Sequence, residues 1–210
     1  MRVNPFWDVL QFLFEAKWTT AVFWALLVTS VAIAAVAFRR DRGQRTPGQL
    51  WIFVARLIIG AMWWQQSLWK LPPTYTDRAD GTGGLRYWVG EMASHAAFAL
   101  QRDFAREVVL KHFSLFAPQV YLGEVAIAIS LMLGLFTRLG AAMGALMAVN
   151  LWLGLYRAPY EWPWTYFFLV VLNFTFAVFP AGRSLGLDAL LASGSAQGSG
   201  LMQRFRRLAS

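Results

Sequence analysis

The chain has 210 residues, of which 58% are hydrophobic, 16% aromatic and only 14% charged. That balance excludes intrinsic disorder and is unusual for a water-soluble domain, so the first reading is an all-α polytopic membrane protein. The absence of cysteine excludes disulfides, thiol relays and thiolate-held iron–sulfur clusters within the chain. The formal charge of +8 is read as lipid-facing because of where it lies, and no nucleic-acid partner is expected.

In chain order, residues 1–17 form an N-terminal interfacial segment. Asn4-Pro5 suits the start of a short helix that offers Phe6, Trp7, Leu10 and Phe14 to a membrane interface. Arg2, Lys17, Asp8 and Glu15 cancel, so a cleavable signal is not expected; Arg39-Arg40 acts as a stop-transfer after the first apolar run. Five runs are apolar enough to span: 18–38, 51–71, 117–137, 139–156 and 163–179. About 20 residues at 1.5 Å each cross a hydrocarbon core of about 30 Å, and the last two runs lie near the lower limit.

The punctuation is clear. Pro72-Pro73 ends the second run, and Pro118 suits the first turn of the third. The turn at Phe136 to Leu139 is short enough to make the third and fourth runs antiparallel neighbours. Gly140, Gly144 and Ala148 give the fourth a face for close helix contact. Between the second and third runs, 72–116 form a long external loop whose residues 85–113 read as one or two amphipathic helices capping the outer face. The segment 192–210 is Ser/Gly-rich and ends in Arg204, Arg206 and Arg207, as expected of a flexible basic tail.

With the first run directed inward, the cytoplasmic pieces hold nine arginines against Asp41 and Asp188, a net of +7, whereas the external pieces hold eight basic and eight acidic residues. This is the positive-inside pattern. It predicts a cytoplasmic (inner) membrane protein with its N-terminus outside and C-terminus cytoplasmic.

Glu124 lies inside the third run, where an ionisable side chain costs roughly 2.5–3.5 kcal/mol and requires a partner. Lys70 and Arg56 are the two cations within the runs, and each must cover about 10 Å along the bundle to reach it. The residues leave that choice open, with Lys70, and Gln65 or Gln66 between, the favoured arrangement. Gln65, Glu124, Asn150 and Asn173 fall at similar depths on four different runs, as one polar site or as separate helix ties. Near the same end Trp63, Trp64, Trp69, Trp152, Tyr156, Trp162 and Trp164 accumulate, either lining a ligand or thickening an interfacial belt. Arg138, Arg183 and Asp188 are assigned to structure on the inner face, with Arg183 and Asp188 expected to pair. His95 and His112 both lie in the external loop; no metal site and no haem between spans are expected.

Arg56-Leu57 with Gly60 and Lys70-Leu71, then Glu124, the turn Gly134-Leu135-Phe136-Thr137-Arg138-Leu139, and Gly182-Arg183-Ser184-Leu185-Gly186-Leu187-Asp188 follow in an order that resembles the DoxX/DoxD-like membrane proteins. The resemblance covers 51–191 and implies a four-helix bundle, to which 18–38 adds an N-terminal helix and 72–116 an external cap. Ser67 stands where that family usually has glycine. The DoxD branch includes the membrane subunit of thiosulfate:quinone oxidoreductase. The resemblance therefore implies quinone as cofactor, an extracytoplasmic donor such as thiosulfate, and at least one other protein subunit besides the lipid bilayer. On that reading Glu124 and Lys70 are the catalytic pair, and Gln65, Gln66, Trp69, Trp152, Tyr156 and Trp164 line the ligand. The alternative is a non-catalytic accessory or assembly subunit of a larger membrane complex.

Overall fold

The computed structural model describes residues 4–76 and 83–193, all of it helix, turn or coil with no strand among the described residues. The basic end of the expected tail lies outside them. The elements are α1 (Pro5–Phe14), α2 (Trp18–Arg40), α3 (Pro47–Ser67), α4 (Leu85–His95), α5 (Ala99–Phe104), α6 (Phe113–Leu133), α7 (Thr137–Gly154), α8 (Pro163–Val178) and α9 (Leu187–Ser193). Local chemistry sets several starts. Asn4 accepts the Trp7 N–H at 2.7 Å to cap α1, and Thr46 accepts the Gln49 N–H at 3.3 Å before Pro47 opens α3.

Two helices, α2 and α6, are long and apolar enough to cross a membrane by length and composition, with mean hydropathies of 2.4 and 1.5; α8 is apolar but shorter, at 16 residues. α6 begins at Phe113, four residues before the expected run, so Pro118 falls inside the helix rather than in its first turn. The segment expected to form an external cap folds as α4 and α5, continued by a π turn over Ala105–Val109. Its apolar side, with Leu85, Val89, Ala93 and Ala105, packs on Ala117 and Val120 of α6.

α3, α6, α7 and α8 close a ring of packing, α3 on α6, α6 on α7, α7 on α8 and α8 back on α3, and α2 lies against α6. Close approach depends on small residues. A Cβ at Gly60 of α3 would lie 2.9 Å from the Met132 backbone nitrogen of α6. On α7, Gly140 faces Ser130 of α6, Gly144 faces Asn173 of α8, and Ala148 is fully buried. Trp63, Ile127, Leu131 and Met132 fill the interior, while many other large side chains point outward. Val28 and Val31 of α2, Leu122 of α6, Leu146 of α7 and Phe168 and Phe174 of α8 are all exposed. Exposed apolar residues on each of these four helices are more than a water-facing surface commonly carries.

One end of the ring is closed by polar contacts to backbone. Gly134 ends α6 with φ +67°, the left-handed conformation that glycine adopts without steric cost. The last carbonyls of α6 are met by buried donors: Arg56 bonds Leu131 and, at 3.2 Å, Met132, while Ser30 of α2 donates to Met132 at 2.6 Å. A cation at a helix C-terminus also complements the macrodipole. α7 begins directly after Phe136, which has no side-chain oxygen with which to cap it. Asp188 of α9 supplies that cap from a distance, accepting the Phe136 N–H at 2.9 Å and the Thr137 N–H at 3.0 Å. Burial pushes the Asp188 carboxyl up from its ordinary value, and these N–H donors with the nearby Arg56 guanidinium pull it back.

The expected Arg183–Asp188 pair does not form. Arg183 is exposed, whereas Asp188 is buried under the α6–α7 turn, where two orphan N–H groups hold its carboxylate more directly than a solvated guanidinium could. Arg138 donates its Nε–H to the Ala177 carbonyl at 2.9 Å, tying α7 to the end of α8. Removing the cap by Asp188→Ala is expected to cost about 0.5–2 kcal/mol of stability. Arg183→Ala is expected to stay within about 0.5 kcal/mol of the parent. Thermal unfolding of the two variants in the same detergent checks both; equal losses would argue for the ion pair instead.

Candidate functional site

At the end of the ring opposite Asp188, the backbone of α3 tightens into a 3₁₀ turn over Leu68–Lys70. Each residue of such a turn advances about 120° rather than 100° around the axis, and so swings Lys70 away from the face that carries Gln66. The Lys70 side chain thereby enters the bundle. Its ammonium is ion-paired directly with Oε1 of Glu124, and both side chains are buried. The same ammonium lies 4.3 Å from the ring centroid of Trp69, a cation–π contact worth up to about 2 kcal/mol where water is excluded.

The pair is only half satisfied. Oε2 of Glu124 is buried and has no hydrogen-bond partner among the described residues. Leaving such an oxygen without a donor costs about 1–3 kcal/mol, more when charged. The arrangement therefore presents one neutralised charge and one open acceptor in a dry interior, which suits a group that binds or transfers a proton.

The other residues singled out from the sequence fall elsewhere. Arg56 is not the partner of Glu124; it is fully buried at the opposite end against the α6 carbonyls. Gln65 and Gln66 do not bridge Lys70 to Glu124. Both are exposed, Gln66 accepting the Trp69 indole N–H at 3.2 Å and Gln65 facing a groove beside α1. Asn150 and Asn173 do not join them in one site. Asn150 bonds Gln101 of α5 at 3.1 Å, and Asn173 accepts the Trp63 indole N–H at 3.2 Å while donating to the Leu169 carbonyl at 2.8 Å. Similar depth placed these side chains at one level, but helix rotation points them at different neighbours.

The aromatic residues likewise form two groups. Trp69 lies against Trp88 of α4, centroids 6.4 Å apart, beside Lys70. Trp152 and Trp164 meet through Phe167, at 5.2 and 5.8 Å, on the α7–α8 side, with Tyr156 exposed nearby in sequence. His95 sits 3.2 Å from Glu91, and His112 3.0 Å from the Val108 carbonyl. No cluster of three metal-ligating side chains occurs among the described residues.

Two residues that sequence reasoning passed over fasten the frame at the end opposite the pair. Ser30 fastens α2 to α6, and Gln44 accepts the Leu185 N–H at 2.9 Å, so α2 and the turn after it are part of the packed body. A lone serine or glutamine at these positions carries no signal until the facing carbonyl or N–H is located.

No protein-family model, curated protein or solved structure matches the chain.

Because each half of a buried pair is costly without the other, Lys70→Met and Glu124→Gln are each expected to destabilise by about 3–5 kcal/mol, and the double variant by much less than their sum. Chemical unfolding of the four proteins in a double-mutant cycle measures the coupling. Additive losses would show that the pair contributes nothing as a pair.

Proposed function

We propose that the chain is a membrane subunit of a redox complex that binds quinone and takes part in electron transfer from an extracytoplasmic donor such as thiosulfate, as its resemblance to the DoxX/DoxD-like proteins implies. The observation that carries this reading is the buried Lys70–Glu124 pair with one carboxylate oxygen unclaimed. In this proposal α2, α3, α6, α7 and α8 all span the inner membrane, with the N-terminus outside and the C-terminus cytoplasmic. The apolar exterior of the helix ring and the arginines gathered at the Asp188 end support that placement.

A bound quinone supplies two-electron, two-proton chemistry. The chain's own residues fit the proton half of it. Oε2 of Glu124 is the atom at which a proton is held or released. Lys70 neutralises the other oxygen and fixes the carboxylate's orientation, and Trp69 shields the ammonium from water. The chain has no cysteine to hold an iron–sulfur cluster, so in this reading the electrons come through a partner subunit that oxidises the donor.

A second reading is favoured by one feature. Phe98, Leu100 and Phe104 of the cap are exposed, as are Tyr160 and Trp162 in the loop between α7 and α8. Such a surface suits the docking of another subunit, and the chain would then anchor or assemble a complex without chemistry of its own.

Topology and chemistry are tested separately. The native chain lacks cysteine, so single substitutions can be labelled cleanly: Gly43→Cys is expected to react only from the cytoplasmic side and Ser94→Cys only from outside. The reverse pattern would overturn the placement. For the chemistry, the complex purified with its partners is expected to reduce a short-chain quinone, and Lys70→Met/Glu124→Gln, folded as judged by thermal unfolding, is expected to lose that activity. A folded double variant with full turnover would leave the pair a structural tie and favour the accessory reading.

A further inference from the structure

α1 does not project from the body but folds back on α2. The Trp24 indole N–H donates to the Leu13 carbonyl at 2.8 Å, and Phe12 meets Phe23 edge-on with centroids 4.9 Å apart. Between this hairpin and the end of α3 lies a groove of about 1030 Å³. That is the size of pockets that take drug-sized and cofactor-sized molecules.

The lining states what kind of molecule fits. Trp7, Phe12, Trp18, Leu68 and Trp69 supply flat and aliphatic walls. Gln11 and Gln65 supply side-chain amides that have no hydrogen-bond partner among the described residues. The only charges in the lining, Glu15 and Lys17, neutralise each other at 2.6 Å on the exposed rim. A phosphate or ammonium headgroup would find no unpaired counter-charge here, and a plain acyl chain would leave both amides unused. A neutral ring with carbonyl or ether oxygens satisfies both walls and amides.

We infer that the groove between α1 and the end of α3 is the seat of an uncharged, ring-bearing amphiphile, its ring packed on the indoles and its oxygens accepting from Gln65 and Gln11. Trp69 belongs both to this groove and to the cation–π contact with Lys70, so the occupant lies one side chain away from the buried pair. The seat is argued from its lining; that the occupant is a quinone rests on the function proposed above.

The test is photolabelling of the full chain in nanodiscs with an azidoquinone, the modified residues being located by peptide mass spectrometry. Labels are expected within 7–18 and 65–69 and should be suppressed by excess decylubiquinone. Gln65→Leu, a change at an exposed position that leaves the fold intact, is expected to raise the competing concentration about tenfold, as loss of one hydrogen bond of about 1.4 kcal/mol implies. Saturable labels confined to Trp152, Tyr156 and Trp164 would overturn this seat while leaving the quinone reading intact. Equal suppression by a ring-free alkyl amphiphile would assign the groove to acyl chains and overturn the inference. No saturable label anywhere would overturn both the seat and the quinone reading.

Discussion

The C-terminal end of α6 is the constraint on which the rest of the arrangement depends. Its last carbonyls point into an apolar interior, where an unsatisfied polar group is expensive, and the guanidinium of Arg56 meets them from α3. That contact, together with the close approach at Gly60, sets how far α3 is slid along α6. Everything further up the pair inherits the register. Lys70 stands fourteen residues beyond Arg56, about 21 Å along α3, and Glu124 seven residues before Leu131, about 10 Å along α6. The remaining 10 Å or so is covered by two long side chains reaching toward one another, helped by the tightened last turn of α3.

A second consequence of this register is isolation. The buried polar groups do not pool into a network: Asn173 is occupied by Trp63 and Arg56 by backbone carbonyls, while Asn150 pairs with Gln101 at an exposed position. Among the described residues, Lys70 and Glu124 therefore face each other with no third polar side chain bonded to them, and the second oxygen of the carboxylate is left over. An isolated half-satisfied pair has little to gain for stability over an apolar one of the same volume.

Much of the frame was legible in the residues. The helices follow from apolar runs punctuated by proline and glycine, the cap from apolar positions at helical spacing, and the need for a cation near Glu124 from the energetics of a buried carboxylate. What could not be read was rotation about each helix axis. Gln66 lies four residues from Lys70 and would share its face in a continuous α-helix, but three residues of 3₁₀ winding separate them. Asp188 looked like a partner for Arg183 because both are charged and near in sequence. Its actual role follows from a missing cap at Phe136, fifty-two residues away, which only the folded α6–α7 turn reveals. The five apolar runs correspond to packed helices, yet only α2 and α6 combine the length and hydropathy to qualify as spans alone. Gly and Ala in α7, and Arg56 and Trp63 in α3, serve contacts between helices and lower the apolar signal in doing so.

The distribution of residue size inverts the usual rule of tolerance. In a water-soluble core the large aliphatic side chains face inward and truncating them opens cavities. Here the interior of α7 is Gly140, Gly144 and Ala148, while Leu146 points outward. Tolerance along this helix is therefore set by an upper limit on volume rather than a lower one. An added methyl group at Gly140 or Gly144 would meet the Ser130 or Asn173 side chain at under 3 Å, so the facing side chain must shift to admit it.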